Sequence, residues 1–196
     1  DDLVARLDQA LRRRAAQKTV VVLECYVGVD EPSIIREIQS RLKPALVLRA
    51  AEAMLEPKYI DELVAPFLGG EDPAFGFLSG LTLPQFFHED KLAQLRARVA
   101  QVKQGVVLVV GCGASLVSEP DILIYADLAR WEAQLRFRRN EASNLGVENR
   151  TLAASLQYKR AFFVDWRVCD RWKRPLIAKW DFVLDTNNPR VPNLAE

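Results

Sequence analysis

Short apolar runs alternate with longer segments of helical periodicity along most of the chain. Residues 20–24, 45–48, 106–110 and 122–125 are largely aliphatic and too short for helices, so each run predicts a buried strand. Strands that are apolar on both faces are typical of parallel sheets covered by helices. The pattern therefore predicts an α/β fold, a three-layer sandwich with a mainly parallel central sheet.

Helical periodicity fills most of the intervals between these strands. It predicts helices over residues 3–16, 31–42, 91–103, 129–143 and 151–160. The Gly-, Pro- and Phe-rich segment 57–90 predicts a short helix followed by loops, with Phe75, Phe77, Phe86 and Phe87 in a small local core. Residues 161–166 and 181–185 predict two later strands. We expect one domain over residues 1–186 and a linker end over residues 187–196.

The segment 20–38, VVVLECYVGVDEPSIIREI, has the strand, glycine loop and helix of a phosphate-binding loop. Such a loop needs glycines for backbone contacts to phosphate, a Lys for the outer phosphates and a Ser or Thr for magnesium. Here Gly28 is present, but Val29, Asp30 and Glu31 replace the remaining residues. Carboxylates at a helix N-terminus satisfy the helix dipole and repel phosphate. The sequence thus predicts a degenerate Walker A loop, with Asp30 capping the helix.

Ligands of open parallel sheets bind outside the C-terminal ends of the strands. Two of those ends carry candidate chemistry. The turn GCGAS offers Gly111, Gly113 and Ser115 as backbone phosphate donors, although the glycines alone also suit a tight turn. A later strand leads to Asp127, a candidate base or magnesium ligand.

Positive charge is concentrated in one part of the chain. The net charge is only +1, but residues 130–174 contain 11 Lys or Arg against 5 Asp or Glu, a net charge of +6. A helix in this segment, with Trp131 and Leu135 expected on its core face, presents arginines on more than one side. Arginine binds phosphoryl groups through bidentate donors. The candidate phosphate-binding arginines are Arg130, Arg136, Arg138, Arg139, Arg167 and Arg171.

Two interpretations of the basic segment remain open. The arginines of residues 130–139 bind phosphate, or they form a charged helix face paired with Glu132 and Glu141. Likewise, Asp165 is either a catalytic base beside phosphate-binding arginines or a member of an internal ion pair.

The remaining composition excludes several classes of function. Three cysteines beside apolar runs predict reduced, buried thiols of a cytoplasmic protein. His88 is the one histidine, and no Cys/His spacing suggests zinc. The low net charge gives no argument for a nucleic acid or membrane partner. We therefore expect no metal site.

The order of these motifs resembles the uridine kinase and dephospho-CoA kinase branch of P-loop kinases. The matching pieces are CYVGVDEP, FFHEDKLAQL, DILIYADLARWEAQLRFRRN and KWDFVLDTN, and the resemblance covers residues 19–186 in order. The resemblance implies a P-loop kinase-like fold, with Arg136, Arg138 and Arg139 as lid arginines. No cofactor is expected at the degenerate loop, and ATP with magnesium applies only if the domain is an active kinase.

A second resemblance is to the extra domain that precedes the isomerase domain in some bacterial class I mannose-6-phosphate isomerases. It is carried by YADLARWEAQLRFRRNEASNLG, LQYKRAFFVDWRVCDRWKRPL and VLDTNNPRVPNLAE. It implies that the chain is a fragment with a C-terminal isomerase domain as its partner.

Three hypotheses of function follow. The leading one is a regulatory or assembly module that binds a phosphorylated sugar or nucleotide. The alternatives are an active sugar or nucleoside kinase with a non-standard ATP loop, and a structural dimerisation domain that forms a homo-oligomer.

Overall fold

The computed structural model describes residues 2–14, 17–72, 74–188 and 193–195. Its centre is a sheet with the strand order β2-β3-β1-β4-β5-β6, in which the first five strands are parallel and β6 is antiparallel to β5. The predicted α/β architecture is confirmed. The strands are β1 (Lys18–Cys25), β2 (Leu46–Arg49), β3 (Gly105–Gly111), β4 (Ile122–Asp127), β5 (Phe182–Asp185) and β6 (Asn193–Ala195).

Helices cover both faces of the sheet because alternate strand residues are apolar on both sides. In β1, Val21 and Leu23 belong to the core beneath α1 and α2, whereas Val20 and Val22 belong to the larger core under the remaining helices. Within the described residues, no helix is long and apolar enough to span a membrane. The helices are α1 (Asp2–Arg14), α2 (Glu31–Leu42), α3 (Pro57–Val64), α4 (Glu89–Gln101), α5 (Arg130–Arg138), α6 (Ala154–Arg160) and α7 (Trp166–Leu176).

Helix α2 has a capping residue at each end. The Asp30 carboxylate accepts the backbone N–H of Ser33 at 3.3 Å and the Ser33 hydroxyl at 2.6 Å, so the predicted cap is confirmed. Lys43 ends the helix in the left-handed conformation. Ile34 and Ile38 are its buried stripe against the sheet.

The predicted strand at residues 161–166 is wrong. The chain runs as one helical rod from α6 to α7, joined by a π-helical turn at Ala161–Asp165. Ala161, Val164 and Asp165 are buried while Phe162 and Phe163 are partly exposed, a spacing of three and four that belongs to a helix. A short apolar run does not by itself distinguish a strand from a buried helical segment.

Helix α5 is shorter than predicted, and it faces the core differently. It ends at Arg138, and Asn140 then adopts a positive φ of 56° that turns the chain away. Trp131 is 64% exposed, whereas Ala133 and Phe137 are buried. The expectation that Trp131 packs in the core is therefore wrong.

The phenylalanines of residues 75–87 do not form one local core. Phe86 and Phe87 are buried in the main core, but Phe75 and Phe77 are 73% and 66% exposed. At the C-terminal side, residues 193–195 pair with β5, so this part of the expected linker belongs to the sheet.

Cutting back the buried stripe of α2 should weaken the fold. Ile38→Ala removes a side chain with no solvent exposure, so we expect the free energy of unfolding to fall by about 2 to 5 kcal/mol. Urea denaturation measures this loss. The neighbouring exposed substitution Gln39→Ala is the control, and a similar loss in both variants would contradict the packing described for α2.

Candidate functional site: a cleft at the C-terminal edge of the sheet

A cleft of about 920 Å³ opens at the C-terminal ends of β1, β2 and β3. Its floor is the loop between β1 and α2, and its far wall is the segment 140–150 that follows α5. This is where ligands bind in open α/β sheets. Its charged lining side chains are Asp30, Glu31, Arg36, Arg49, Arg136, Glu141, Glu148 and Arg150.

The loop after β1 is fixed by the protein itself. Gly28 has a φ of 93°, and a Cβ atom there would lie 3.1 Å from the Leu128 side chain. Its carbonyl accepts a hydrogen bond from Arg136 Nη1 at 2.9 Å. A glycine is therefore needed for the turn and for the close packing against Leu128, whether or not a phosphate binds.

Glu31 places a carboxylate at the N-terminus of α2. Its side chain is only 18% exposed, and its Oε2 lies 3.3 Å from Arg49 Nη2. A Cβ atom on Gly111 would lie 3.2 Å from Glu31 Oε1, so the missing side chain at the end of β3 leaves room for this carboxylate. Burial raises the pKa of Glu31, although Arg49 opposes that shift. An internal anion thus lies where a phosphate-binding loop would hold its ligand.

A second carboxylate occupies the turn after β3. Glu24 is buried at the end of β1, and its two oxygens accept the backbone N–H groups of Gly113 at 2.6 Å and Ser115 at 2.8 Å. Burial raises the pKa of Glu24, while these two donors oppose the shift. The amides predicted for phosphate are already donating to a carboxylate. Phosphate binding by this turn stays a prediction.

Arg136 is buried, with only 3% of its surface exposed, and it joins separate parts of the site. Besides Gly28, it donates to the Thr186 carbonyl beyond β5 at 2.6 Å and to Glu132 Oε1 at 3.2 Å. All three nitrogens of the guanidinium group therefore donate to the protein. Of the residues predicted to bind phosphate, Arg136 is the one that lines this cleft within the described chain.

The other predicted arginines lie elsewhere. Arg130 pairs with Asp170 and stacks over Trp166 at 5.4 Å. Arg139 pairs with Glu132 at 2.7 Å and Glu141 at 2.8 Å.

Two further arginines of α7 bond to backbone carbonyls. Arg167 donates to the Phe162 carbonyl at 3.1 Å, and Arg171 donates to those of Ser79 and Leu81. Arg138 lines a different cavity. The predicted arginines therefore do not converge on one ligand.

The two predicted catalytic aspartates have different environments. Asp165 has no exposure, accepts from Asn144 Nδ2 at 2.6 Å and the Leu145 N–H at 3.3 Å, and lies 3.6 Å from Arg160 Nε. Burial raises its pKa. Asp127 is 40% exposed at the end of β4 and pairs with Lys173 at 2.9 Å. Asp165 thus holds the segment that forms the cleft wall, whereas Asp127 remains accessible.

Sequence reasoning missed three arginines that line the cleft. Arg49 is the last residue of β2, so the rule that ligands bind at strand ends could have indicated it. Arg36 projects from α2, and Arg150 lies in a loop where no periodicity places it. Over the described ranges, no group of three or more His, Cys, Asp or Glu side chains could hold a metal ion.

A kinase-like α/β fold with a degenerate nucleotide loop is thus the class that the sheet and the cleft define. The chain belongs to the family described as "Domain of unknown function (DUF8485)", which matches residues 2–196. No curated protein matches the sequence. A solved structure titled "putative fructose transport system kinase", from Silicibacter sp. TM1040, is similar with a TM-score of 0.56 at 15% identity. The match covers 89% of this chain and 95% of that one, and it shows the fold alone.

Removing the buried arginine should cost far more stability than removing its exposed neighbour. Arg136→Ala leaves the Gly28 and Thr186 carbonyls without this donor and removes one of the two arginine partners of Glu132, so we expect a loss of about 3 kcal/mol in the free energy of unfolding. Arg139→Ala, which removes an exposed ion pair, should change it little. Urea denaturation of both variants checks this contrast, and equal effects would contradict the structural role of Arg136.

The partly buried carboxylate of Glu31 should make stability depend on pH. Since its pKa is raised above the ordinary 4.5, the folded state favours the protonated form, and stability falls as pH rises through the folded pKa. Glu31→Gln removes this loss. The stability of the variant relative to wild type should therefore increase as pH rises above 4.5, as measured by urea midpoints.

A matched control for that pH series is Glu62→Gln, which replaces a carboxylate with 61% exposure on α3. The difference in stability between Glu62→Gln and wild type should stay nearly constant across the pH series. A constant offset for Glu31→Gln as well would show that burial does not perturb Glu31.

Proposed function

We propose that this domain is a kinase-fold binding module that holds a phosphorylated small molecule, a hexose phosphate, in the cleft without transferring phosphate from ATP. The observation that carries the proposal is the position of Glu31. Its carboxylate occupies the N-terminus of α2 beside the glycine that ends β3. An ATP phosphate there would meet a negative charge, and no Walker lysine is present to offset it.

The residues of this loop do not fit magnesium either. A P-loop holds the ion with a Ser or Thr at the start of the helix and an acidic residue on a neighbouring strand. Here Glu31 begins the helix in place of the Ser or Thr. Of the two strands that pair with β1, β3 ends in Gly111 and β4 ends in Asp127, so a carboxylate is present on a neighbouring strand but the hydroxyl ligand is missing. The usual magnesium-ATP arrangement is therefore not available to this chain.

The cleft nevertheless has donors for a phosphate at another position. Arg49 is 50% exposed and uses Nη2 for Glu31, and Arg150 is 53% exposed and uses Nε for Glu148 at 3.4 Å. Arg36 donates through Nη2 to Ser33. A guanidinium group has five N–H donors, so each of these arginines retains capacity for a phosphate.

Two resemblances favour a sugar phosphate over other phosphorylated molecules. The segments over residues 125–146 and 156–176 resemble the domain that precedes mannose-6-phosphate isomerase, and the similar solved structure is described as a "putative fructose transport system kinase". Both names concern a hexose, so a phosphorylated hexose is the ligand that we propose. We propose that the domain acts as a regulatory or assembly module of such an isomerase.

One observation favours a second candidate, an active kinase. Asp127 is exposed at the end of β4, and Lys173 lies beside it at 2.9 Å, so a carboxylate base and a cation are both accessible there. This candidate requires ATP to bind by an unusual loop. Asp165 does not serve it, because that carboxylate is fully buried.

Calorimetric titration separates the two candidates. We expect mannose 6-phosphate or fructose 6-phosphate to bind saturably, and magnesium-ATP and the free hexoses to give no heat of binding. Arg49→Gln should weaken hexose phosphate binding about tenfold or more, because a charged hydrogen bond to phosphate contributes about 1.5 to 3 kcal/mol.

The matched control is Arg139→Gln, which removes an exposed arginine that does not line the cleft. It should leave hexose phosphate binding unchanged. Tight magnesium-dependent ATP binding, or transfer of phosphate to a hexose, would establish the kinase instead. If no phosphorylated ligand binds, the binding module is excluded and a structural role remains.

A further inference from the structure

A second cavity of about 570 Å³ lies between α5, α6 and the π-helical turn, away from the cleft. The two cavities have no lining residue in common among the described residues. A volume of this size is in the range of small-molecule sites, which are mostly apolar with a few polar groups. Its main lining side chains are Gln134, Phe137, Arg138, Tyr158, Phe162 and Phe163.

Aromatic rings form one wall of this cavity. The rings of Tyr158 and Phe162 lie 6.1 Å apart and within 26° of parallel, and Phe163 meets Phe162 edge to face at 5.0 Å. Tyr158 is 39% exposed. Partly exposed, nearly parallel rings offer faces on which a flat ring can stack.

The last two of these rings come from the π-helical turn. Phe162 and Phe163 are consecutive residues of Ala161–Asp165, and both side chains line the cavity. Single π-helical turns are rare and are frequently found at functional sites.

A cation at the rim gives the cavity its charge preference. Arg138 is exposed at the C-terminal end of α5 and makes no ion pair or hydrogen bond with a described residue. Its neighbour Arg139, by contrast, is fully engaged by two carboxylates. Lys159 also lines the cavity, but its ammonium group donates to the Asp72 carbonyl and is buried. Arg138 is thus left as the charged donor for a ligand.

We propose that this cavity binds a planar aromatic anion, with its ring against Tyr158 and Phe162 and its anionic group at Arg138. The carboxamide of Gln134, one helical turn before Arg138, adds a neutral hydrogen bond on the same side. This site does not depend on the proposed hexose phosphate site, because it uses other residues.

The test uses a matched pair of probes, naphthalene-2-sulfonate and the neutral naphthalene-2-sulfonamide, titrated into the whole chain and followed by calorimetry. We expect the sulfonate to bind at one site and more tightly than the sulfonamide. Arg138→Gln, an exposed substitution that leaves the core intact, should weaken sulfonate binding about tenfold and leave sulfonamide binding unchanged. Phe162→Ala should weaken both.

The control is Arg139→Gln, which removes the adjacent arginine that does not line the cavity and should change neither affinity. Saturating hexose phosphate should not compete with the sulfonate. The proposal is overturned if the sulfonate does not saturate, if both probes bind equally, or if Arg138→Gln has no effect on sulfonate binding.

Discussion

Two carboxylates lie among the backbone N–H groups at the C-terminal edge of the sheet: Glu24, which is buried, and Glu31, which is 18% exposed. Backbone N–H groups at the end of β3 and the N-terminus of α2 would otherwise be unsatisfied, and in a nucleotide-binding loop a phosphate satisfies such groups. Here Glu24 accepts the amides of Gly113 and Ser115, and Glu31 lies at the start of α2. The amides of Gly113 and Ser115 therefore have a protein acceptor, and the start of α2 carries a protein carboxylate in place of a bound anion.

The guanidinium group of Arg136 likewise makes its hydrogen bonds to groups of the protein. Arg136, one of the arginines predicted to bind phosphate, donates to Gly28, Thr186 and Glu132. These bonds connect the first loop, the end of the sheet and α5. The first loop, the end of the sheet and α5 are thus held together by one guanidinium group whose three nitrogens all donate to the protein.

The sequence predicts those features that depend on neighbouring residues. The strands follow from local apolar runs, and the cap of α2 follows from Asp30 three residues before Ser33. Features that depend on distant residues could not be predicted. Glu24 meets Gly113 across 89 residues, and Arg136 meets Gly28 across 108. The strand predicted at residues 161–166 was wrong because a short, largely apolar segment fits both a strand and a helical turn.

The positive charge of residues 130–174 also could not be assigned to a site from the sequence alone. Net charge counts every cation equally, but burial and pairing determine which cations can meet a ligand. Arg136, Lys159 and Arg160 are buried and bonded within the protein.

Helix α5 shows how the remaining charge is divided between two sites. Arg136 and Arg138 are two positions apart, which places them about 200° apart around the helix axis. One therefore lines the polar cleft, and the other lines the aromatic cavity. The arginines of α5 therefore do not form a single phosphate site. Arg136 makes structural contacts on one side of the helix, and Arg138 presents a free guanidinium group on the other.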